Sequence, residues 1–404
     1  MPIIPIGVCV HRRATRMRPG GDVMKPTRIT RRHTLAMSLA ILGMGASVNG
    51  IVDSPRLAAQ TPEITTIQKG IFRLPPVDSD VKEVVVTAMA MDPRGELLAV
   101  AGDDHVIRIL NSKTMQIMHV LGNPADIKDG KPGHFDWIRT LDFDDNGSTL
   151  SSAGNDGQLI LWDRRSDFEV LQEIKSAPAL ACVCFSPTGK QMAAVGFDSR
   201  VFLIGATSHN QPSLKCDCID LRCCVYRSDS KTLAVAGRNG QLHLFDPVSG
   251  DLQHEERLHK ARVRDMKFLP NSNVLVSVSE DGEVVQYDTV GHTILSRRKI
   301  TSGRLFTVAV IDANTIAAAG SDDGIHIVRF SNENGDLQIT RTLVGHVGSI
   351  STLIKSNGAL ISGGYDATIR RWDLPSLQVQ QDKVALKDDS VSVPAGDSSA
   401  ATSR

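Results

Sequence analysis

A repeat of about forty residues constrains the fold of this chain more than any other feature of its sequence. Seven times, an acidic or amide residue is followed three positions later by a branched apolar residue. These turn residues are Asp104, Asp156, Asp198, Asn239, Asp281, Asp322 and Asp366, spaced by 52, 42, 41, 42, 41 and 44 residues. A period of this length is typical of an array of similar structural units.

Within each repeat, short runs of alternating apolar and polar residues predict β-strands, because side chains alternate between the two faces of a strand. Runs such as 97–101 and 192–195 precede the turn residue, and polar turns such as 185–189 separate them from an earlier run. Each unit is therefore expected to form about four short antiparallel strands. A unit of this size cannot bury both of its faces alone, so the repeats are expected to pack against one another.

Composition supports an ordered β-rich chain. Hydrophobic residues make up 41% and charged residues 22%, while 33 glycines and 18 prolines favour short strands and turns over long helices. The formal net charge is zero, but residues 1–33 carry eight basic residues and one acidic residue, leaving 37 basic and 44 acidic residues in the remainder. This mildly acidic body argues against a nucleic-acid partner.

Two repeats carry additional motifs at matching places. Leu161-Trp162-Asp163 and Arg371-Trp372-Asp373 end an apolar run, and Gly133-His134 and Gly345-His346 open the same repeats. With the period, these motifs resemble the WD40 family of β-propellers over residues 81 to about 380. The resemblance implies an all-β fold, a seven-bladed WD40-type β-propeller with four antiparallel strands per blade.

In that family, a His, a Ser or Thr, the turn Asp and the Trp form a hydrogen-bonded relay that locks each blade. The resemblance implies complete relays of His134, Ser152, Asp156 and Trp162, and of His346, Ser362, Asp366 and Trp372. A third repeat keeps His259, Ser277 and Asp281, with Tyr287 in place of Trp. The pair of His and Asp recurs with Ser and Trp as a unit, which favours a structural role over a catalytic one. The other four blades are expected to rely more on apolar packing.

The ring of blades must be closed by one end of the chain. Residues 61–80 form a lead-in to the propeller of residues 81–380, and the segment Ile64 to Leu74 is expected to supply the outer strand of the last blade. The segment Leu377 to Leu386 is the competing candidate. The final residues, 381–404, are rich in Ser, Ala and Asp and are expected to be disordered.

The first sixty residues are interpreted as an export signal and leader. Arg31-Arg32 precedes an uncharged apolar stretch, Leu35 to Val48, which is too short to span a bilayer. The paired arginines resemble the bacterial twin-arginine signal. An ordinary Sec signal and a retained anchor are the alternatives. Translation could begin at Met1 or at Met24. We expect the mature protein in the periplasm or outside the cell, without stable membrane insertion.

The sequence offers few candidates for chemistry, and we expect no metal and no cofactor. Asp142 to Gly147 matches half of a calcium-binding loop, but Ala153 stands where the bidentate Glu should be. Cysteines 182, 184, 216, 218, 223 and 224 lie in two neighbouring repeats, mostly where sister repeats carry apolar residues. A disulfide is more plausible than a metal site in an oxidising compartment, but the sequence does not say which cysteines would pair.

The resemblance also implies a partner-binding face at two positions of each repeat. The positions in the first strand are Thr87, Arg139, Ala181, Arg222, Arg264, Phe306 and Ser351. The positions before the turn are Asp103, Asn155, Phe197, Arg238, Glu280, Ser321 and Tyr365. Arginines and aromatic residues contribute most to interface energies. With Trp137, which follows the long loop Gly122 to Gly133, they give the candidate binding residues Arg139, Arg222, Arg264, Arg238, Trp137, Phe197, Phe306 and Tyr365.

These features predict a non-catalytic scaffold of the bacterial envelope or exterior that binds a protein or peptide partner. A propeller hydrolase or lactonase with a metal in its channel is the enzymatic alternative, and a purely structural envelope protein is the third hypothesis. A monomer is expected, because the blades close on themselves.

Overall fold

A computed structural model describes residues 63–65, 70–77, 82–175, 178–205, 214–330 and 336–374. The expected leader and tail, residues 1–60 and 381–404, lie outside these described residues. The described chain forms seven sheets, so the prediction of a seven-bladed propeller with four-stranded antiparallel blades is confirmed. Its helices are the five-residue α1 (Pro124–Lys128) and a short 3₁₀ turn, Arg164–Ser166.

Two lead-in strands precede the first three blades. The lead-in strands are β1 (Glu63–Thr65) and β2 (Ile71–Phe72). Blade 1 contains β3 (Val86–Met91), β4 (Leu97–Gly102), β5 (Ile107–Asn111) and β6 (Ile117–Leu121). Blade 2 contains β7 (Ile138–Phe143), β8 (Thr149–Gly154), β9 (Gln158–Asp163) and β10 (Glu169–Lys175). Blade 3 contains β11 (Leu180–Phe185), β12 (Gln191–Gly196), β13 (Arg200–Gly205) and β14 (Leu214–Lys215).

Four further blades complete the ring. Blade 4 contains β15 (Leu221–Tyr226), β16 (Leu233–Gly237), β17 (Gln241–Phe245) and β18 (Leu252–Arg257). Blade 5 contains β19 (Val263–Phe268), β20 (Val274–Ser279), β21 (Glu283–Asp288) and β22 (Thr293–Lys299). Blade 6 contains β23 (Leu305–Asp312), β24 (Thr315–Gly320), β25 (Gly324–Phe330) and β26 (Leu337–Val344). Blade 7 contains β27 (Ile350–Ser356), β28 (Ala359–Gly364) and β29 (Ile369–Asp373).

The first strands of successive blades contact one another in an unbroken ring around a central channel, and β27 of the last blade contacts β3 of the first. The remaining strands follow outward in chain order. Each blade therefore has two ends. The top face carries the entrances to the first strands and the turns between the second and third strands. The bottom face carries the other turns.

The hydrophobic core is divided among the seven seams between neighbouring blades, with one cluster of buried side chains at each seam. All six residues of β4 are buried, because blades cover both faces of its sheet. Small and branched residues such as Ala and Val fill these second strands, where two neighbouring sheets approach closely. Burial on both faces explains why strict alternation is weak in the second strands.

A recurrent hydrogen bond joins the first strands of adjacent blades. Thr140 Oγ1 accepts from the backbone N–H of Val183 in the next blade, at 3.2 Å. Thr307 Oγ1 accepts from Leu353 N–H at 3.1 Å, and Asp265 Oδ2 accepts from the N–H of the equivalent residue in blade 6 at 2.9 Å. These side chains satisfy inner-strand amides that have no partner within their own sheet.

The N-terminal segment closes the ring. β2 pairs antiparallel with β29 and forms the fourth strand of blade 7, within the segment that the sequence analysis assigns to this role. Leu74 is buried in the seam between blades 7 and 1, and Pro75 O accepts a hydrogen bond from Arg108 in blade 1. The competing segment, 377–386, lies outside the described residues. In addition, β1 pairs in parallel with β26 as a fifth strand of blade 6, which the sequence analysis does not anticipate.

Removal of β2 should destabilise the protein, because it leaves the edge of β29 unpaired and opens the seam that holds Leu74. We expect a chain that begins at residue 75 to melt roughly 5 °C or more below a chain that begins at residue 70. Unpaired strand edges also promote association. Calorimetry and light scattering would test this expectation, and equal melting temperatures with two monomeric chains would contradict it.

Candidate partner-binding face

The seven first-strand candidate positions share one local geometry. In each blade, the pairing of the first and second strands skips one residue, which forms a β-bulge. The skipped residues are Thr87, Arg139, Ala181, Arg222, Arg264, Phe306 and Ser351. A bulge releases its residue from the strand pairing and redirects the side chain. The fold therefore places these seven residues at equivalent points near the top of the channel.

The seven positions before the turn share one backbone hydrogen bond. Each donates its backbone N–H to the carbonyl at the entrance of its own first strand, as Asn155 does to Trp137 O at 3.0 Å and Tyr365 to Ser349 O at 2.8 Å. The same bond occurs at Asp103, Phe197, Arg238, Glu280 and Ser321. The two sets of positions consequently form neighbouring rings on the top face.

Three of the four candidate arginines, Arg139, Arg222 and Arg264, lie against aromatic rings. The guanidinium of Arg222 lies 3.9 Å from the centroid of Phe197 in the preceding blade. Arg264 lies 5.0 Å from the ring of Phe306 in the following blade, and Arg139 lies 4.9 Å from the ring of Trp137. Such contacts hold a planar cation in place while its outer edge remains able to donate hydrogen bonds.

Carboxylates and an amide orient the same guanidinium groups. Arg139 Nε donates to Asn155 Oδ1 at 2.9 Å. Arg222 forms an ion pair with Asp220, with 2.6 Å between Nε and Oδ1. Glu280 Oε1 accepts from Arg264 at 3.2 Å and from Arg262 at the same distance.

The positive charges interact across the face. Burial lowers the pKa of Arg139, and the charge of Arg264, three blades away, lowers it further. Burial likewise lowers the pKa of Arg222, where Asp220 opposes the effect and Arg262 and Arg264 add to it. The arginines thus converge on one region. Arg139 has the neutral Asn155 as its hydrogen-bond partner, while the nearby charge of Asp136 opposes the lowering of its pKa.

Apolar side chains are exposed beside this basic region. Phe197 and Tyr365 are 42% and 43% exposed, and Phe135, one residue after the His134 position, is 66% exposed. Sequence reasoning missed Ile219 and Val347, which are 71% and 78% exposed in equivalent top-face connections. Val347, like Phe135, directly follows the relay histidine of its blade, whereas Ile219 lies two residues after Asp217, which occupies the relay position in blade 4. Exposed large apolar side chains on one face are characteristic of interaction surfaces.

The other candidate residues occupy the same face with different exposure. Arg238 is exposed, whereas Trp137 and Phe306 are half-buried. The long connection of blade 2 folds into α1, and a side chain at Gly133 would collide with Ile127 of that helix. This close approach explains why glycine stands where the connection returns to the blade.

The relay residues of blades 2 and 7 are connected as the resemblance implies. His134 lies 2.8 Å from both Asp156 Oδ2 and Ser152 Oγ, and Trp162 Nε1 donates to the same Ser152 oxygen at 2.9 Å. In blade 7, His346 lies 3.0 Å from Asp366 and 2.7 Å from Ser362, which accepts from Trp372 at 2.9 Å. Because Ser accepts the indole proton, its own O–H can donate to His Nε2 while His Nδ1–H donates to Asp.

The protonation of the blade 7 relay agrees with this direction of hydrogen bonds. Burial lowers the pKa of His346 and keeps the imidazole neutral, although Asp366 opposes the effect. Burial alone would raise the pKa of Asp366, but hydrogen bonds from Thr368, the Val347 N–H and His346 lower it to about 2. Ser152, Ser277 and Ser362 are completely buried, so no substrate can reach their hydroxyls.

Blade 5 has an incomplete relay. His259 Nε2 lies 2.8 Å from Ser277 Oγ and Nδ1 lies 3.2 Å from Asp281 Oδ2, but the Tyr287 hydroxyl is buried without a hydrogen-bond partner. Burial acts to raise the pKa of Asp281, and the hydrogen bond from His259 is the largest of the opposing effects that bring it to about 2.

Blades 1 and 6 replace the relay histidine with a basic side chain four residues after the turn acid. Arg108 pairs with Asp104 at 2.5 Å in blade 1. His326 pairs with Asp322 at 2.8 Å in blade 6, where Thr301 also donates to the acid. The turn acid therefore keeps a donor even where the histidine of the motif is absent, as the high cost of an unpaired buried charge requires.

Few groups of side chains in the described residues could hold a metal. The two groups with compatible spacing are Asp217, His243 and Glu255, and His259, Asp281 and Glu283. The second group overlaps the blade 5 relay, and in the first His243 Nδ1 is already 2.6 Å from Glu255 Oε1. At the half calcium motif, Asp144 accepts from the Thr149 N–H and Ser148 hydroxyl of its own turn, and Asp142 accepts from Phe185 N–H in the next blade.

The central channel contains a cavity of about 280 Å³ lined in part by Asp142, Asp265 and Lys267. Burial raises the pKa of Asp142 to about 6, and the hydrogen bond from Phe185 N–H opposes this effect. Lys267 Nζ lies 3.6 Å from Asp265 Oδ1. Both carboxylates are thus held by bonds that bridge blades, and neither belongs to a group with metal-binding spacing in the described part of the chain.

Comparison with known proteins gives four matches to the family described as WD domain, G-beta repeat, at residues 81–111, 129–163, 250–288 and 337–373. The four matched ranges end in blades 1, 2, 5 and 7. Blades 2, 5 and 7 are the three with a relay histidine. LEC14B protein of Lithospermum erythrorhizon is 27% identical over 225 residues, which cover 55% of this chain and 44% of that protein.

Longer alignments have lower identity. Transducin beta-like protein 3 of Rattus norvegicus is 24% identical over 322 residues, covering 72% of this chain and 37% of that protein. The Periodic tryptophan protein 2 homolog of Caenorhabditis elegans is 23% identical over 324 residues, covering 78% and 30%. The chain thus spans less than half the length of each of these relatives. The seven sheets define a seven-bladed β-propeller, and the repeats of four of its blades match the WD domain, G-beta repeat family.

No helix in the described part of the chain has the length and apolar character needed to cross a membrane.

The relay serines allow a test of how strongly the relay stabilises a blade. Ser152→Ala would leave His134 Nε2 and Trp162 Nε1 unpaired in a buried site, whereas Ser277→Ala would leave only His259 Nε2 unpaired. Each buried unpaired group costs about 1–3 kcal/mol. We expect Ser152→Ala to lower the free energy of unfolding about twice as much as Ser277→Ala in denaturant titrations. Equal losses would show that the Trp162 bond adds no stability.

Proposed function

We propose that this protein is a non-catalytic interaction scaffold that binds a protein or peptide partner on the top face of its propeller. The observation that carries the proposal is the convergence of Arg139, Arg222 and Arg264 beside aromatic rings at the mouth of the channel. WD40 propellers generally bind protein partners, and four repeats of this chain match that family.

The chemistry of the face favours an acidic segment with apolar side chains as the partner. Arg139 is paired with a neutral amide, so an incoming carboxylate would gain a charge-assisted hydrogen bond without displacing an acid. Arg262 bridges Asp220 and Glu280, whereas Arg264 donates to the shared Glu280 through one nitrogen and retains donors for a second acidic group. Exposed Phe135, Ile219 and Val347 lie in the top-face connections of their blades and offer apolar contacts. The basic centre and apolar rim together would position an extended chain across the channel mouth.

Simultaneous change of Arg139, Arg222 and Arg264 to Ala should abolish capture of the partner from a cell-envelope extract. A matched control carries Ala at the exposed arginines Arg94, Arg165 and Arg329, at the bottom of the propeller. We expect the control to capture the same proteins as the unchanged chain, with equal melting temperatures for all three proteins. Quantitative mass spectrometry of captured proteins measures the difference, and undiminished capture by the top-face variant would refute the proposal.

The absence of a catalytic role is part of the proposal. The Ser, His and Asp of the relays resemble a nucleophilic triad in composition, but their serines are fully buried and accept an indole proton in two of the blades. The channel carboxylates bind amides of neighbouring blades. A metal in the channel would be the signature of the hydrolase or lactonase alternative, and metal analysis of the purified chain distinguishes that alternative from the scaffold.

We also propose that the protein is exported from a bacterial cell by the twin-arginine route. The support is the pair Arg31-Arg32 ahead of the apolar stretch Leu35 to Val48. This route carries folded proteins, which suits a propeller whose ring closure requires both ends of the domain.

Substitution of Arg31 and Arg32 by lysine should stop export, because the twin-arginine route reads the two side chains while a Sec signal needs only their positive charge. The first sixty residues contain a second adjacent pair, Arg12 and Arg13, which no apolar stretch follows and which serves as the control in the chain that begins at Met1. We expect the control substitution to leave export unchanged. Cell fractionation with antibody detection measures the outcome, and export of the doubly substituted chain at the normal level would favour the Sec route.

A further inference from the structure

The seam between blades 3 and 4 contains an unusual concentration of sulfur. Five of the six described cysteines lie in or against its core cluster. Cys182 and Cys184 are on β11, the first strand of blade 3, and Cys224 is on β15, the first strand of blade 4. These three thiols meet where other seams use a hydroxyl or carboxylate to join the first strands.

The sulfur of Cys182 replaces the side-chain oxygen that accepts the hydrogen bond between first strands in other seams. Its Sγ accepts from the backbone N–H of Cys224 at 3.5 Å, in the position where Thr140 Oγ1 accepts from Val183 N–H one seam earlier. The contact with the Cys224 side chain lowers the pKa of Cys182, while burial acts in the opposite direction. Cys182 therefore already has a structural partner.

The side chains of Cys184 and Cys224 contact each other directly. Their sulfur atoms are 3.3 Å apart, with the S–H of Cys184 directed at Cys224. A disulfide requires a separation of about 2.05 Å, so the two atoms need to approach by little more than 1 Å. The remaining cysteines point elsewhere: Cys216, Cys218 and Cys223 direct their S–H groups at the backbone carbonyls of Ser199, Asp220 and Ala236.

We propose that Cys184 and Cys224 are a redox modification site and form a disulfide that links blade 3 to blade 4. The oxidant is a disulfide, either a small molecule or an oxidoreductase of an oxidising compartment. The thiolate of Cys184, which is half-buried, attacks one sulfur of the oxidant and releases the first thiolate. Cys224 then loses its proton and attacks the Cys184 sulfur, which releases the second. The protein loses two protons and two electrons, and the oxidant becomes two thiols.

The site lies below the closest arginine–aromatic contact of the candidate face. Arg222 is two residues before Cys224 on the same strand, and its guanidinium packs on Phe197 of blade 3. A covalent link at this seam would fix the two blades that carry that contact. Burial raises the pKa of Cys184, so the first attack should be slow at neutral pH and faster in alkaline buffer.

The test uses the full chain, purified with a reductant and then incubated with oxidised glutathione at about pH 8. Free thiols are blocked with N-ethylmaleimide after denaturation, and the linked peptides are identified by mass spectrometry. We expect a disulfide that joins Cys184 to Cys224, and a melting temperature a few degrees above that of the reduced protein, because the link restricts the unfolded chain.

Three variants separate this proposal from general oxidation. Cys184→Ala should neither form the disulfide nor gain stability on oxidation, and its far-ultraviolet circular dichroism shows whether it has folded. Cys216→Ser, in the same core cluster, should behave like the unchanged chain. Cys182→Ser should retain the disulfide, because its hydroxyl can still accept the Cys224 N–H. Absence of a disulfide in the oxidised chain, or a bond from Cys224 to Cys182, would overturn the proposal.

Discussion

Contact between neighbouring blades is the constraint on which the rest of this structure depends. No blade can bury both of its faces alone, and the core consists of seven seams rather than one centre. A seam forms only if two blades are present, so the ring gains its last seam only when blade 7 meets blade 1. The short strand β2, the buried Leu74 and the Arg108 bond to Pro75 serve that closure. Stability is therefore shared around the ring and depends on a few residues before the first repeat.

Buried polar side chains of the propeller form hydrogen bonds within blades and between neighbouring blades. The complete relays of blades 2 and 7 satisfy a buried indole, imidazole and carboxylate in one chain of hydrogen bonds. Blades 1 and 6 reach the same end with Arg108 and His326, which shows that the requirement is a donor for the turn acid and not a particular histidine. The channel carboxylates are also satisfied by hydrogen bonds, because Asp142 and Asp265 accept from backbone N–H groups of the next blade. Once these groups are satisfied, the chemically distinctive surface that remains is the top face.

The proposed binding face and the proposed disulfide are linked by geometry. A bulge in every first strand directs one side chain toward the channel mouth, so the identity of seven residues decides the character of the mouth. Three of them are arginines, and each packs on an aromatic ring from its own or a neighbouring blade. The seam under Arg222 and Phe197 is the one with the thiol pair. Its redox state would therefore act on the rigidity of the face rather than on its composition.

The sequence by itself determined the number of blades, the alternation that makes strands, and the residues of the relays, because each is a local pattern repeated at a fixed interval. The sequence also placed the candidate arginines in equivalent positions, because residues at the same place in successive repeats occupy the same place in successive blades. Tertiary structure decided the features that join different repeats. The aromatic ring that faces Arg222 comes from the preceding blade, the exposed Ile219 and Val347 complete the rim, and β1 adds to blade 6. The choice of Cys184 and Cys224 among the six cysteines of the described residues likewise depends on the register between adjacent strands. These contacts join residues of different blades, from 25 positions apart for Phe197 and Arg222 to opposite ends of the propeller for β1 and blade 6, and their distances are fixed only when the blades pack into a closed ring.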